Sequence, residues 1–322
     1  MVTPLPGGLA ALYPFAPQSF PTPGGAKLSY VDEGPRGDEV VLAVHGNPTW
    51  SFFYRDLIRE LSGSVRCLAP DHVGMGLSDK PAAYDYSLAG RVADLEALLA
   101  SLRVKRVHLV VHDWGGAIGL GWAVRHPELV GKVVILNTAA WPSPRIPLRI
   151  ALCRAPGVGE FLVRGLNGFA WPATWMAMHA RRLSPDESRG YLLPYDSWAH
   201  RVGVHRFIRD IPLESDHPSR PTLEAIARRL PELSAHAKLI VWGGKDFCFD
   251  DRFLAEWKQI YPEAAVLRLP EVGHYVLDDG GPEVRARISE FLLSPDRSDR
   301  AAITRRLNQG RMPQADDIRP LA

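Results

Sequence analysis

Val110-Val111-His112-Asp113-Trp114-Gly115-Gly116 decides the fold: an apolar run stops on an acidic residue, and glycines open the next segment. Residues 107–111 are apolar except for His108, as in a parallel strand buried on both faces. Gly115, Gly116, Ala117 and Gly119 then let a helix lie close to that strand, until the pattern stops near His126-Pro127. A strand, a tight turn and a helix in this order hold the turn residue clear of the sheet's end, and that residue is Asp113. An ionised carboxylate attacks carbon without a base to activate it and leaves an ester for water to cleave. The second step calls for a histidine base and an acid to orient it.

Outward from this turn, strands are expected over residues 27–32, 40–44, 65–69, 132–136, 238–242 and 265–269, with an amphipathic helix over about 88–102. Alternating strands and helices with glycine-rich loops argue an α/β fold, a mostly parallel, doubly wound sheet. Between 141 and 218, prolines and aromatics recur at helical spacing with no clear strand, which reads as a helical cap inserted over the strand ends. The expected organisation is therefore core 1–140, cap 141–218, core 219–293 and a charged tail over 294–322 that reads as a mobile terminus.

Composition sets the outer limits. A chain of 322 residues that is 46% hydrophobic can bury a large core. Its net charge of +2 does not call for nucleic acid. Cys67, Cys153 and Cys248 have neither disulfide-framework nor metal spacing, so reduced, packed thiols and no metal or cofactor are expected. With no signal-peptide pattern and no apolar run near ~18 residues, the expectation is a cytoplasmic protein without a membrane span.

Ligands of open α/β sheets bind at the carboxyl ends of the strands, so the loops there hold the remaining candidates. His45-Gly46-Asn47-Pro48-Thr49-Trp50 follows an early strand, and its backbone amides, with that of Trp114, suit an oxyanion hole. His45 reads better as a brace for this loop than as the base. His274, in Glu271-Val-Gly-His274-Tyr-Val-Leu-Asp-Asp279, follows the last apolar strand and is the better base. Asp246 lies just past the strand 238–242 and is the expected acid, while Asp250 and Asp251 compete for that role but are explained by capping of the next helix.

HGNPTW, DHVGMGLSDKP, VVHDWGG, WGGKD and GHYVLDD together resemble the haloalkane dehalogenase group of α/β-hydrolases over roughly residues 20–292. The pattern departs from the serine enzymes' G-x-S-x-G at Val111, two residues before Asp113. The resemblance implies Asp113 as nucleophile, His274 as base and Asp246 as acid, with the Trp114 indole N–H and the Asn47 amide holding the leaving halide. Both side chains do offer N–H donors to an anion. One branch of the group carries a glutamate where this chain has Asn137, and the pairing of Asn47 with Asp246 is similar to the third branch.

Further segments, among them Asn137-Thr-Ala-Ala-Trp-Pro, Pro194-Tyr-Asp-Ser-Trp198 and Asp246-Phe-Cys-Phe-Asp250, resemble the β-lactone decarboxylases of bacterial olefin biosynthesis. That likeness implies a hydrophobic cis-β-lactone with two long alkyl chains, converted to CO2 and a cis-alkene, and allows a complex with other enzymes of that biosynthesis. Two converging N–H donors suited to halide also suit a departing carboxylate; attack at the lactone carbonyl is the other route. The cap supplies the apolar surface such a substrate needs through Trp141, Phe161, Leu162, Phe169, Trp171, Trp175, Met176 and Met178, of which Trp141, Phe169 and Trp175 are the expected pocket residues, and about half of the eight are expected to pack the cap instead. Haloalkane hydrolysis is the alternative. An epoxide hydrolase would need paired cap tyrosines, for which Tyr191 and Tyr195 are available, although Asn47 speaks against it. A non-catalytic binding protein would normally have lost part of the Asp113, His274 and Asp246 set.

Overall fold

The computed structural model describes residues 8–295, and an eight-stranded sheet runs through their centre. Its strands are β1 (Gln18–Pro21), β2 (Lys27–Glu33), β3 (Glu39–Val44), β4 (Arg66–Pro70), β5 (Arg106–His112), β6 (Val130–Leu136), β7 (Lys238–Gly243) and β8 (Ala265–Leu269). They lie in the order β1-β2-β4-β3-β5-β6-β7-β8. The two pairings of β2, with β1 and with β4, are antiparallel, and the others are parallel. The seven strands expected from sequence, that over 107–111 among them, are present with ends displaced by at most two residues. β1 adds to them, because a four-residue edge strand that ends in proline and is largely exposed carries no apolar alternation by which to recognise it.

The helices, in chain order, are α1 (Gly8–Leu12), α2 (Arg55–Leu61), α3 (Leu88–Ser101), α4 (Trp114–Ala123), α5 (Leu148–Arg154), α6 (Val158–Glu160), α7 (Ala170–Met176), α8 (Pro185–Leu192), α9 (Val202–Arg209), α10 (Arg220–Arg229), α11 (Asp251–Ile260), α12 (Val276–Asp279) and α13 (Gly281–Leu293). Successive strand residues point to opposite faces, and the sheet sorts its side chains accordingly. Val40, Leu42, Val44, Val107, Leu109 and Val111 join one core with α3 and α4. Val41, Ala43 and Val110 join the other, with Phe53, Tyr54, α2 and α13. This is an α/β doubly wound fold, with a run of helices from α5 to α10 inserted between β6 and β7.

β5 lies between β3 and β6, so the turn after it emerges at the middle of the sheet's carboxyl edge. The loops that carry Asn47, Asp246 and His274 follow β3, β7 and β8, and the topology brings them to the same edge. No helix among the described residues is long and apolar enough to cross a membrane. The three cysteines are free thiols. The tail expected over 294–322 lies, from residue 296 on, outside the described residues.

Candidate active site

Asp113 caps the start of α4 at φ +52° and ψ −130°, a backbone region that costs a non-glycine residue on the order of 1–3 kcal/mol. Its neighbours hold it there. The Asp113 amide donates to the Asn137 carbonyl at 3.2 Å, while its own carbonyl accepts from the Gly116 amide at 3.0 Å and from the Thr138 hydroxyl. α4 starts hard against the end of β3: a Cβ on Gly115 would lie 1.9 Å from the Val44 carbonyl oxygen, and one on Gly46 would lie 2.1 Å from Asp113 Oδ1. Glycine at these two places is a requirement of contact.

The two carboxylate oxygens of Asp113 have different surroundings. Oδ1 accepts the Asn47 amide at 2.7 Å, and the Trp114 amide also donates to the carboxylate. Oδ2 faces His274 Nε2 at 3.8 Å. Burial pushes the Asp113 pKa above its ordinary value, restrained by the nearby His274 and by the two amides. The loop amide expected to form part of an oxyanion hole, that of Asn47, therefore holds one oxygen of the carboxylate, while the other faces His274.

His274 Nδ1 bonds to Asp246 Oδ2 at 2.7 Å, which fixes the proton on Nδ1 and points the Nε2 lone pair at Asp113. Burial works to lower the His274 pKa, but the charge and hydrogen bond of Asp246, with Asp113 beyond, outweigh it and leave the imidazole above its usual value. Asp246 is held through Oδ1 by the amides of Cys248 at 2.6 Å and Phe249 at 3.1 Å. Its competitors are engaged elsewhere: Asp250 caps α11 and Asp251 pairs with Arg268. His45 donates from Nδ1 to the Gly46 carbonyl at 2.7 Å and accepts the His72 amide on Nε2 at 3.0 Å, so it braces the loop.

Three positioning groups escape a reading of the sequence. His112 Nε2 donates to the His274 carbonyl at 2.9 Å, and its ring lies 4.5 Å from both Phe53 and His274. Asp279 accepts the Gly273 amide at 2.6 Å together with amides of the cap residues His179, Ala180 and Arg181. Asp278 takes both Arg55 Nη2, at 2.7 Å, and the Tyr191 hydroxyl. The base loop is thus stitched to the cap. A strand histidine and two acids in a short helix give no signal of such roles until their neighbours are known.

Above Asp113 and His274 is a cavity of about 420 Å³, a usual size for a small-molecule site. Trp141, Phe169, Trp175 and Met176 line it, with Asn47 and Trp114 beside Asp113. Asn47 Nδ2 gives one hydrogen to the Val204 carbonyl of α9 at 3.2 Å and keeps the other. The Trp114 indole N–H has no hydrogen-bond partner among the described residues, and its ring rests 5.6 Å from Phe207.

Four of the eight apolar cap residues line the cavity, the expected share; of the other four, Leu162 and Met178 do not reach it, and Phe161 and Trp171 are exposed where packing was expected. Short helices and a π turn carry apolar groups on opposite sides, so composition alone overstates the inward surface. Tyr191 and Tyr195 are fully buried and outside the cavity, so neither is placed to protonate an epoxide there.

Residues 39–281 match the family model of the alpha/beta hydrolase fold. A cis-3-alkyl-4-alkyloxetan-2-one decarboxylase of Shewanella oneidensis is 43% identical over 89% of this chain and 92% of its own length. A protein of the same name from Xanthomonas campestris pv. campestris is 41% identical over 87% of this chain and 97% of its own. Among solved structures, a haloalkane dehalogenase of Bradyrhizobium elkani superposes with a TM-score of 0.78 at 25% identity, covering 86% of this chain and 97% of that one.

Proposed function

The chain belongs to the alpha/beta hydrolase fold family, and on that premise we propose that it converts long-chain cis-β-lactones to cis-alkenes and CO2, with Asp113 as nucleophile. The observation that carries this reading is the 43% identity to the Shewanella decarboxylase over 89% of the chain. The apolar cavity over the Asp113 carboxylate supports it.

Asp113 Oδ2 attacks the alkyl-bearing ring carbon that is bonded to the ring oxygen, and that C–O bond breaks with its electron pair going to the new carboxylate. The Trp114 indole N–H and the remaining Asn47 N–H receive that carboxylate, a charge-assisted pairing of two donors with one anion. CO2 then departs, the C–C electron pair becomes the double bond, and the bond to Asp113 breaks to restore the enzyme. Inversion at the first step and anti departure at the second together return the cis geometry of the lactone. The steps balance without water or an added cofactor.

His274, oriented by Asp246, is the base for the competing outcome, in which water cleaves an Asp113 ester. With a haloalkane no carboxylate is available to leave, so hydrolysis is the only exit from the ester. This second reading is favoured by the same two N–H donors, which suit halide. We take the cap to span 141–218 between core segments 1–140 and 219–293, and the setting to be the cytoplasm, with other enzymes of olefin formation as candidate partners.

The test is to give purified enzyme a long-chain cis-3,4-dialkyl β-lactone and, separately, 1-bromobutane, in water enriched in oxygen-18. Alkene should form faster than bromide, and only bromide release should label the Asp113 carboxylate. Efficient bromide release with no alkene from the lactone would make the protein a dehalogenase, and label entering Asp113 in step with alkene formation would overturn the water-free route.

A further inference from the structure

Of the ten large hydrophobic side chains exposed among the described residues, eight lie on the cap, among them Leu148, Leu152, Phe161, Trp171, Trp175 and Trp198. Soluble proteins scatter such residues, and a concentration of them marks an interaction surface. Leu148, 77% exposed, and Leu152, 51% exposed, stand one turn apart on α5. Trp171 and Trp175 stand one turn apart on α7, with ring centroids 6.4 Å from each other. Arg149 ties the two helices, its guanidinium 3.6 Å from the Phe247 ring centroid and 3.8 Å from the Met176 sulfur. Arg149 and Trp175 also line the cavity while being exposed, so the cavity opens between these helices.

Charge on the cap is asymmetric as well. Residues 141–218 hold ten arginines, no lysine and seven acidic side chains, a net of +3 on a chain whose total is +2. At the mouth Arg149 pairs with no carboxylate among the described residues, and Arg145 is held by Glu256 at 2.9 Å. Tryptophan and leucine beside arginine suit the boundary between lipid headgroups and acyl chains, where aromatic rings and guanidinium groups each have one polar and one apolar neighbour.

We propose that the cap docks on an anionic phospholipid surface through α5 and α7, with the cavity mouth turned to the lipid. The basic excess selects acidic headgroups, and the exposed leucines and tryptophans enter the acyl boundary. A ligand with two long alkyl chains then passes between bilayer and cavity without crossing water. That last point alone rests on the proposed function; the docking does not.

The experiment is flotation of the full-length protein with vesicles of phosphatidylcholine alone or with one-quarter phosphatidylglycerol. The wild type should float with the acidic vesicles, release them at high salt, and have its tryptophan emission quenched by brominated acyl chains. The double variant L148D/L152D changes two residues that do not line the cavity, so it should lose at least tenfold in vesicle binding while keeping its turnover of 1-bromobutane or a short lactone. Quenching in the wild type decides the matter even if the variant fails to fold. Equal binding to neutral vesicles, binding to neither, or a wild-type dimer that the variant converts to monomer would each overturn the proposal. Vesicle binding reads no catalysis, so an inactive enzyme that floats would defeat the proposed function alone.

Discussion

The two walls of the cavity are built by opposite rules. On the sheet side the three residues proposed to react are fixed by buried hydrogen bonds: Asp113 by the Asn47 amide, His274 by Asp246 and His112, and Asp246 by two amides in turn. On the cap side, Trp175 is half exposed and Met176 is partly so, and each offers shape with little directional bonding. Under the proposed function the sheet edge sets the chemistry and the cap the choice of substrate. The first wall tolerates little displacement, because a reacting atom misplaced by about 1 Å can cost a hundredfold in rate. The second tolerates changes of volume.

The sharpest way to break this division is at the base. His274→Phe, given 1-bromobutane, should stop after one equivalent of bromide and carry the butyl group on Asp113, as read by intact mass and peptide mapping. An adduct on any other residue would refute the rigid-wall assignment.

Next in size, Asp246→Asn should keep the alkylation step and slow hydrolytic turnover by a factor on the order of 10⁴, as in serine triads. The pH profile sharpens the point. A base works unprotonated, and Asp246 raises the pKa of His274, so wild-type bromide release should rise with pH through a midpoint above the ordinary 6.5. The variant's residual midpoint should fall, because burial then acts without its main opposition. A midpoint unmoved by the substitution would mean that Asp246 does not touch the base.

A third test addresses the seam between the walls. Arg55 is buried at 1% exposure, and Asp278 is the nearest carboxylate to it. Asp278→Ala should cost about 3–5 kcal/mol in urea unfolding, the usual penalty for leaving a buried charge without its partner. A loss under 1 kcal/mol would show that Glu187, 3.1 Å from Arg55, suffices. Smallest of the four, Trp175→Ala should raise KM for a long-chain lactone less than tenfold and leave kcat for 1-bromobutane unchanged. A fall in that kcat would blur the division of labour.

Much of the sheet edge is legible in the sequence because its functional residues follow apolar strands directly. Asp113 stands at the end of such a run, Asp246 a few residues past another, and the turn glycines mark where backbone must approach backbone. The cap is less legible. Counting aromatics locates it but does not say which ones face inward: Trp141 and Phe169 line the cavity while Trp171 and Phe161 face solvent. In segments of one or two turns the apolar spacing is too short to define a face. His112, Asp278 and Asp279 are hidden for a different reason, since hydrogen-bond partners that give them their roles, His274, Tyr191, Arg55 and His179, lie between 87 and 223 residues away.

The hydrogen bond from Asn47 to the Val204 carbonyl places limits on engineering. It fastens the proposed leaving-group donor of the sheet edge to the backbone of α9, so the two walls are not interchangeable parts. A chimera that grafted another protein's cap onto this core would inherit its donor geometry only if a carbonyl arrived in register with residue 204. A graft that missed the register would free the amide to rotate. Cap shuffling for new substrates should therefore stop short of α9 and exchange only the stretch from α5 to α8.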